Sequence, residues 1–96
     1  MSQSINQIYI ALDYDDTYTK DPEFWLEFIK NAQARGHIVR VATMRCYWED
    51  DMDPRLLALI PVDFCCGKAK KITLAQRGLH PDIWIDDRPD WIVGDE

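Results

Sequence analysis

The feature that most constrains this chain is a sudden change of polarity close to its N-terminal end. Ile8-Tyr9-Ile10-Ala11-Leu12 is an unbroken apolar run, and it breaks at once into Asp13-Tyr14-Asp15-Asp16-Thr17. A run without polar alternation suits a central parallel strand covered on both faces. The acids that follow cannot belong to a core, and in such sheets function gathers at the carboxyl ends of the strands.

The rest of the chain repeats the theme. Asp21-Pro22 opens a helix, with Pro at the first helical position. Phe24, Trp25, Phe28, Ile29 and Ala32 form its apolar stripe, and Gly36 stops it. His37–Thr43 reads as a second strand, and Asp53-Pro54 starts a short helix through Leu56, Leu57 and Leu59 that Pro61 closes. Val62–Cys66 reads as a third strand, with the neighbours Cys65 and Cys66 on opposite sides. Beyond Gly67 comes a lysine-rich helix start, with Ile72, Leu74 and Ala75 as its apolar side and Gly78 as its stop. Ile83-Trp84-Ile85 is a fourth strand ending in Asp86-Asp87, while Trp91-Ile92-Val93 fits either a short strand or a helical turn. Strands alternating with helices predict a three-layer α/β/α sandwich with right-handed crossovers. The 96 residues predict a single domain over 1–96.

Charge narrows the partners. A net charge of −6 repels phosphodiester backbones, which disfavours nucleic acid as a general partner. One local basic cluster, such as Lys68, Lys70 and Lys71, can still reverse the field for a phosphorylated substrate. The three cysteines form no CxxC pair, so neither a zinc site nor a disulfide framework is expected, and reduced, packed thiols in a cytoplasmic protein are. The start Met1–Gln7 lacks the pattern of a signal peptide, and no apolar run approaches the roughly 20 residues of a membrane span.

Asp13 and Asp15 leave a strand end two residues apart and point to about the same side. Carboxylates held close share either a proton or a cation. With Asp86 and Asp87 at the end of another apolar strand, four acids ask for a hard divalent ion with oxygen ligands, magnesium by default. Taken singly, each pair reads equally well as turn or cap residues. An EF-hand loop starting at Asp13 fails, because Tyr18 stands where Gly is needed and Phe24 where Glu is needed. With glycines only at 36, 67, 78 and 94, neither GxGxxG nor a P-loop can be written.

The apolar strand leading into Asp13-x-Asp15-x-Thr17 resembles the first motif of the haloacid dehalogenase (HAD) superfamily. Thr43 at the end of the second strand resembles its second motif, the lysine opening a later helix its third, and Ile83-Trp84-Ile85-Asp86-Asp87 its fourth. The four occur in the family's order across residues 8–87, and the chain is most similar to short HAD-like proteins of bacteria and phages with an LDYDDT start and a WIDDxP end. The resemblance implies a small, mostly parallel, Rossmann-like (HAD-like) sheet and phosphomonoester hydrolysis with Mg2+. Asp13 would be the nucleophile that becomes an aspartyl-phosphate, and Asp15 the acid and then the base, its backbone carbonyl also binding the metal. Thr43 would bind phosphate oxygens, Asp86 would ligate the metal directly, and Asp87 would do so through water or from behind. The lysine would neutralise charge on nucleophile and phosphoryl group. Lys68, Lys70 and Lys71 all qualify by position, against a helix dipole that disfavours cations there by ~0.3–1 kcal/mol. Lys70 is chosen on its spacing to Gly78 and Asp86 and its likeness to the short relatives.

Arg45, two residues beyond Thr43, fits either a bidentate contact to substrate phosphate or an ion pair with the acids at 49–53. Tyr47 and Trp48 fall beside the expected mouth and fit substrate stacking or plain packing. His37 and His80 read as loop residues, and Trp25, Trp84 and Tyr9 as core. Met44 stands where many relatives have Gly after the Thr. Neither the short link from Thr17 to the first helix nor residues 44–67 has room for a cap domain. A capless site implies a bulky phosphorylated substrate (a phosphoprotein, or at most a nucleic-acid end), or closure by a second copy in a homodimer; a small phosphorylated molecule stays open. The competing function is a non-catalytic phosphate- or magnesium-binding regulator. A receiver-like variant of it would place its phosphorylated Asp after the third strand, where this chain has Cys65-Cys66.

Overall fold

A computed structural model of the protein describes residues 6–49 and 51–96. The start Met1–Gln7, read above for a leader, thus lies mostly outside the described residues, as does one of the acids at 49–53.

Four strands pair in the order β3-β2-β1-β4, all parallel. They are β1 (Tyr9–Leu12), β2 (Ile38–Thr43), β3 (Val62–Phe64) and β4 (Ile83–Ile85). Helices α1 (Pro22–Ala34), α2 (Pro54–Leu57), α3 (Lys70–Gln76) and α4 (Asp90–Val93) alternate with them, and a 3-10 turn covers Tyr18–Lys20. The protein is therefore an α/β domain built on an all-parallel sheet. No helix among the described residues is long and apolar enough to cross a membrane.

The apolar run at the start becomes β1, one of the two inner strands, where Leu12 pairs with Val41 of β2 and with Ile85 of β4. Alternate residues serve two apolar clusters. Ile10 and Leu12 of β1 and Val39 and Val41 of β2 pack with Leu26 and Ile29 of α1 and Leu56 of α2. Ala11 and Ala42 pack instead with Leu74 of α3, Trp84 and Trp91. Burying both faces explains why the run carries no polar alternation.

Local chemistry fixes the ends of the helices. The Asp21 carboxylate accepts from the Phe24 N–H at 3.2 Å and caps α1, and the Asp53 carboxylate accepts from the Arg55 N–H at 2.9 Å to cap α2. Helix α2 ends at Leu57, earlier than its apolar pattern predicts, and Leu57 is exposed. Asp90–Val93 is a helical turn, which decides between the two readings of that segment. His37 is no idle loop residue: its Nδ1 accepts from the Ile8 N–H at 3.1 Å and ties β1 to the start of β2.

The cysteine expectation is overturned. Strand β3 ends at Phe64, and Cys66 and Gly67 turn the chain with φ of 49° and 79°. This left-handed corner, which Gly67 adopts freely and Cys66 only at some cost, brings Cys66 to Cys46 on the loop after β2, and the two form a disulfide. Cys65 is the free, buried thiol. The cystine removes the cysteine-based argument for a reducing compartment.

Candidate active site

The acids converge because β1 and β4 are direct neighbours. The Asp13 N–H donates to the Ile85 carbonyl at 2.9 Å, extending the ladder by one step and setting Asp13 beside Asp86. Carboxylate oxygens of Asp13, Asp86 and Asp87 lie within 4.8 Å of one another, an arrangement that could hold a metal ion. Three anionic oxygen donors this close fit a hard divalent cation.

Lys70, the first residue of α3, reaches back into this cluster. Its Nζ donates to Asp13 Oδ1 at 2.8 Å and to Asp86 Oδ2 at 2.6 Å, and its side chain is 1% exposed. Lys68 and Lys71 are exposed. The structure thus selects Lys70 from the three lysines that position alone allowed. Burial works against the ammonium charge, but the hydrogen bonds to Asp13 and Asp86 outweigh it and raise the Lys70 pKa.

Burial also dominates at Asp13, whose carboxyl is pushed up to about 7, with Asp87 adding to the rise and Lys70 opposing it. Asp87 moves the other way, lowered chiefly by its hydrogen bond to Asp13. The pair therefore divides its roles when no metal is bound: one carboxyl tends to keep a proton and the other to lose it.

Thr17, named in the sequence only as the end of a motif, has a structural part that the pattern did not reveal. Its Oγ1 lies 3.0 Å from Asp13 Oδ2 and 3.2 Å from Asp87 Oδ1, within donating distance of either carboxylate. Asp16, at φ 62°, makes the turn that returns the chain to this position, and its N–H donates to Thr19 Oγ1 at 2.9 Å.

Three expected site residues, Asp15, Arg45 and Thr43, make contacts other than those expected. The Asp15 carboxylate lies outside the acid cluster. It is held by Arg45, whose Nε and Nη2 donate to its two oxygens at 3.0 and 2.8 Å. Arg45 also pairs with Asp51, within the acidic stretch expected for it, and lies over the Tyr14 ring at 5.1 Å. With its fork on Asp15, it does not stand ready for a substrate phosphate. Thr43 is buried, and its Oγ1 accepts from the Arg45 N–H at 3.1 Å, so its hydroxyl braces the loop and does not line the cavity.

A cavity of about 640 Å³ opens over the cluster, lined by Asp13, Asp15, Asp87, Arg45, Arg88 and Trp91 among others. Arg88 lies 3.9 Å over the Trp91 ring. Tyr47 and Trp48 pack edge to face at 5.1 Å, stay exposed and are not part of the lining. Trp25 and Trp84 pack against the two apolar clusters as expected. Among the described residues the buried Tyr9 hydroxyl has no hydrogen-bond partner.

The arrangement offers a buried carboxylate beside a buried ammonium group, further acids for a cation, and an accessible acid at the rim. No protein-family model, curated protein or solved structure matches the chain.

Proposed function

We propose that the protein is a magnesium-dependent phosphomonoester hydrolase of the HAD type, a three-layer α/β/α domain without a cap, acting through an aspartyl-phosphate on Asp13. The observation that carries this reading is the contact of Lys70 Nζ with both Asp13 and Asp86 at the carboxyl ends of adjacent parallel strands.

The chemistry follows from those groups. An Asp13 carboxylate oxygen bonds to phosphorus as the bond from phosphorus to the leaving oxygen breaks, and Asp15 gives that oxygen a proton. Asp15 then takes a proton from water, the water oxygen attacks phosphorus, and the acyl phosphate opens to release inorganic phosphate and restore Asp13. Lys70 holds the nucleophile in place and offsets charge as it passes to the phosphoryl oxygens. A magnesium ion bound by Asp13, Asp86 and Asp87 would neutralise charge on the phosphoryl group and keep Asp13 ionised. A cavity of about 640 Å³ that opens to solvent accommodates a phosphorylated small molecule or the phosphorylated side chain of a protein.

The test is hydrolysis of an aryl phosphate with magnesium, comparing wild type with Asp13→Asn. Turnover that the substitution abolishes, together with an acid-stable, hydroxylamine-labile phosphoenzyme on Asp13, supports the reading. One observation favours a second reading, a non-catalytic phosphate- or magnesium-binding regulator: Arg45 occupies both oxygens of Asp15. Magnesium binding without any turnover would select it.

A further inference from the structure

Asp15 sits on an exposed turn, its side chain 52% exposed, and among the described residues Arg45 is the only hydrogen-bond partner of its carboxylate. An exposed carboxylate with free rotamers is a poor proton carrier, because its geometry must be re-found at each turnover. Whatever holds Asp15 therefore sets its performance.

Arg45 is itself fixed from several directions. Its side chain is 20% exposed and lies over Tyr14, and a third nitrogen pairs with Asp51. Its N–H donates to Thr43 Oγ1 at 3.1 Å, and its carbonyl accepts from the Cys66 N–H at 3.2 Å. The next residue, Cys46, is bonded to Cys66. A guanidinium anchored in this way presents a rigid fork, which a lysine cannot reproduce.

Resting on the hydrolase reading above, we propose that Arg45 is a positioning residue for Asp15 and serves the second half of the reaction. Two parallel N–H···O bonds hold both oxygens of the Asp15 carboxylate in one orientation, and the carboxylate is the form of Asp15 that meets water once the leaving group has departed. In that step Asp15 removes a proton from water, the new bond forms between water oxygen and phosphorus, and the bond between phosphorus and the Asp13 oxygen breaks. Arg45 keeps Asp15 turned toward the cavity that both residues line. A residue bound to substrate phosphate would act on affinity; Arg45 acts on the fate of the aspartyl-phosphate.

The experiment is rapid-mixing kinetics of Arg45→Gln and Arg45→Lys with p-nitrophenyl phosphate and magnesium, with circular dichroism and thermal melting to establish folding. The expected result for Arg45→Gln is a burst of nitrophenolate approaching one equivalent of enzyme, then a steady rate at least tenfold below wild type, with KM unchanged or lower. Arg45→Lys should keep a point charge but no fork, and should fall between the two. A rise in KM at unchanged kcat and without a burst would place Arg45 on the substrate phosphate and overturn the proposal, as would wild-type kinetics in Arg45→Gln. Absence of turnover in the wild type would instead remove the hydrolase reading, and this inference with it. If Arg45→Gln unfolds, Arg45→Lys carries the test alone, and wild-type behaviour there would equally overturn the assignment.

Discussion

The Lys70 ammonium group lies 2.8 Å from an Asp13 carboxylate oxygen, although 57 residues separate the two in the chain. The contact spans from the end of β1 to the start of α3. Lys70 also meets Asp86, so it is the counter-charge for two buried carboxylates at once. Removing it leaves both without this counter-charge.

Lys70→Met keeps the length of the side chain and deletes the charge. Breaking a buried ion pair from one side costs about 3–5 kcal/mol. The variant should unfold at markedly lower urea concentration than wild type and lose the proposed phosphatase activity. Magnesium should recover part of the stability, because a bound cation would neutralise the same carboxylates.

The pH dependence of stability should carry the mark of Asp13. Its carboxyl sits at about 7 in the folded protein, above the roughly 3.9 of an unfolded aspartate. A raised value favours the folded state while both forms are protonated, and that advantage is lost as pH climbs from about 4 through about 7. Urea unfolding of metal-free protein should therefore show falling stability across this window, and Asp13→Asn should flatten the fall. Asp87, whose value is lowered, acts with the opposite sign: its contribution is present above the ordinary carboxylate value and is lost only below it. The two effects separate on the pH axis.

Thr17→Val removes the hydroxyl that lies within 3.0 Å of Asp13 and 3.2 Å of Asp87. A hydrogen bond to a charged group contributes about 1.5–3 kcal/mol, so a fall in kcat of about 10- to 150-fold is expected, with KM little changed. Steady-state kinetics on an aryl phosphate check this. A changed KM with normal kcat would count against the orienting role.

The Cys46–Cys66 bond closes a loop with a sequence separation of 20. On chain entropy, such a link adds about 3 kcal/mol. Thermal melts should drop on reduction, and the Cys46→Ser, Cys66→Ser double variant should match the reduced protein and ignore reductant. Cys65 should resist alkylation in the folded state, because burial pushes its thiol up to about 11.

Strands β1 and β4 were legible because each is an apolar run ending in acids, and β1 could be placed centrally from its lack of polar alternation; β2, which carries Arg40, and β3, which carries Asp63, were marked instead by the Gly36 and Pro61 breaks before them. Lys70 was legible as one of three lysines at a helix start, and its selection needed the first turn of α3 to aim it inward. The cystine was not legible. Cys46 and Cys66 belong to loops after two different strands, and their proximity depends on β2 pairing with β3 and on the left-handed backbone of Cys66. The Arg45 fork was hidden for a similar reason: nothing local in Thr43-Met44-Arg45 says that the turn at Tyr14–Asp16 carries Asp15 within reach. Short-range pattern reports strands and caps; contacts between turns at a shared sheet edge arise only once the strand order is known.

That strand order has a consequence for biosynthesis. β1 leaves the ribosome before the other three strands, yet one of its two neighbours is β4, which leads into Asp86 and is translated after β2 and β3. Until β4 docks, β1 has a bare edge, and the ammonium group of Lys70 lacks one of its two carboxylates. Pairing between segments far apart in sequence is slow to form, and bare edges invite strands from other chains. The newborn protein should therefore be most prone to aggregate during this interval, and chaperone demand should end when residues 83–85 close the sheet.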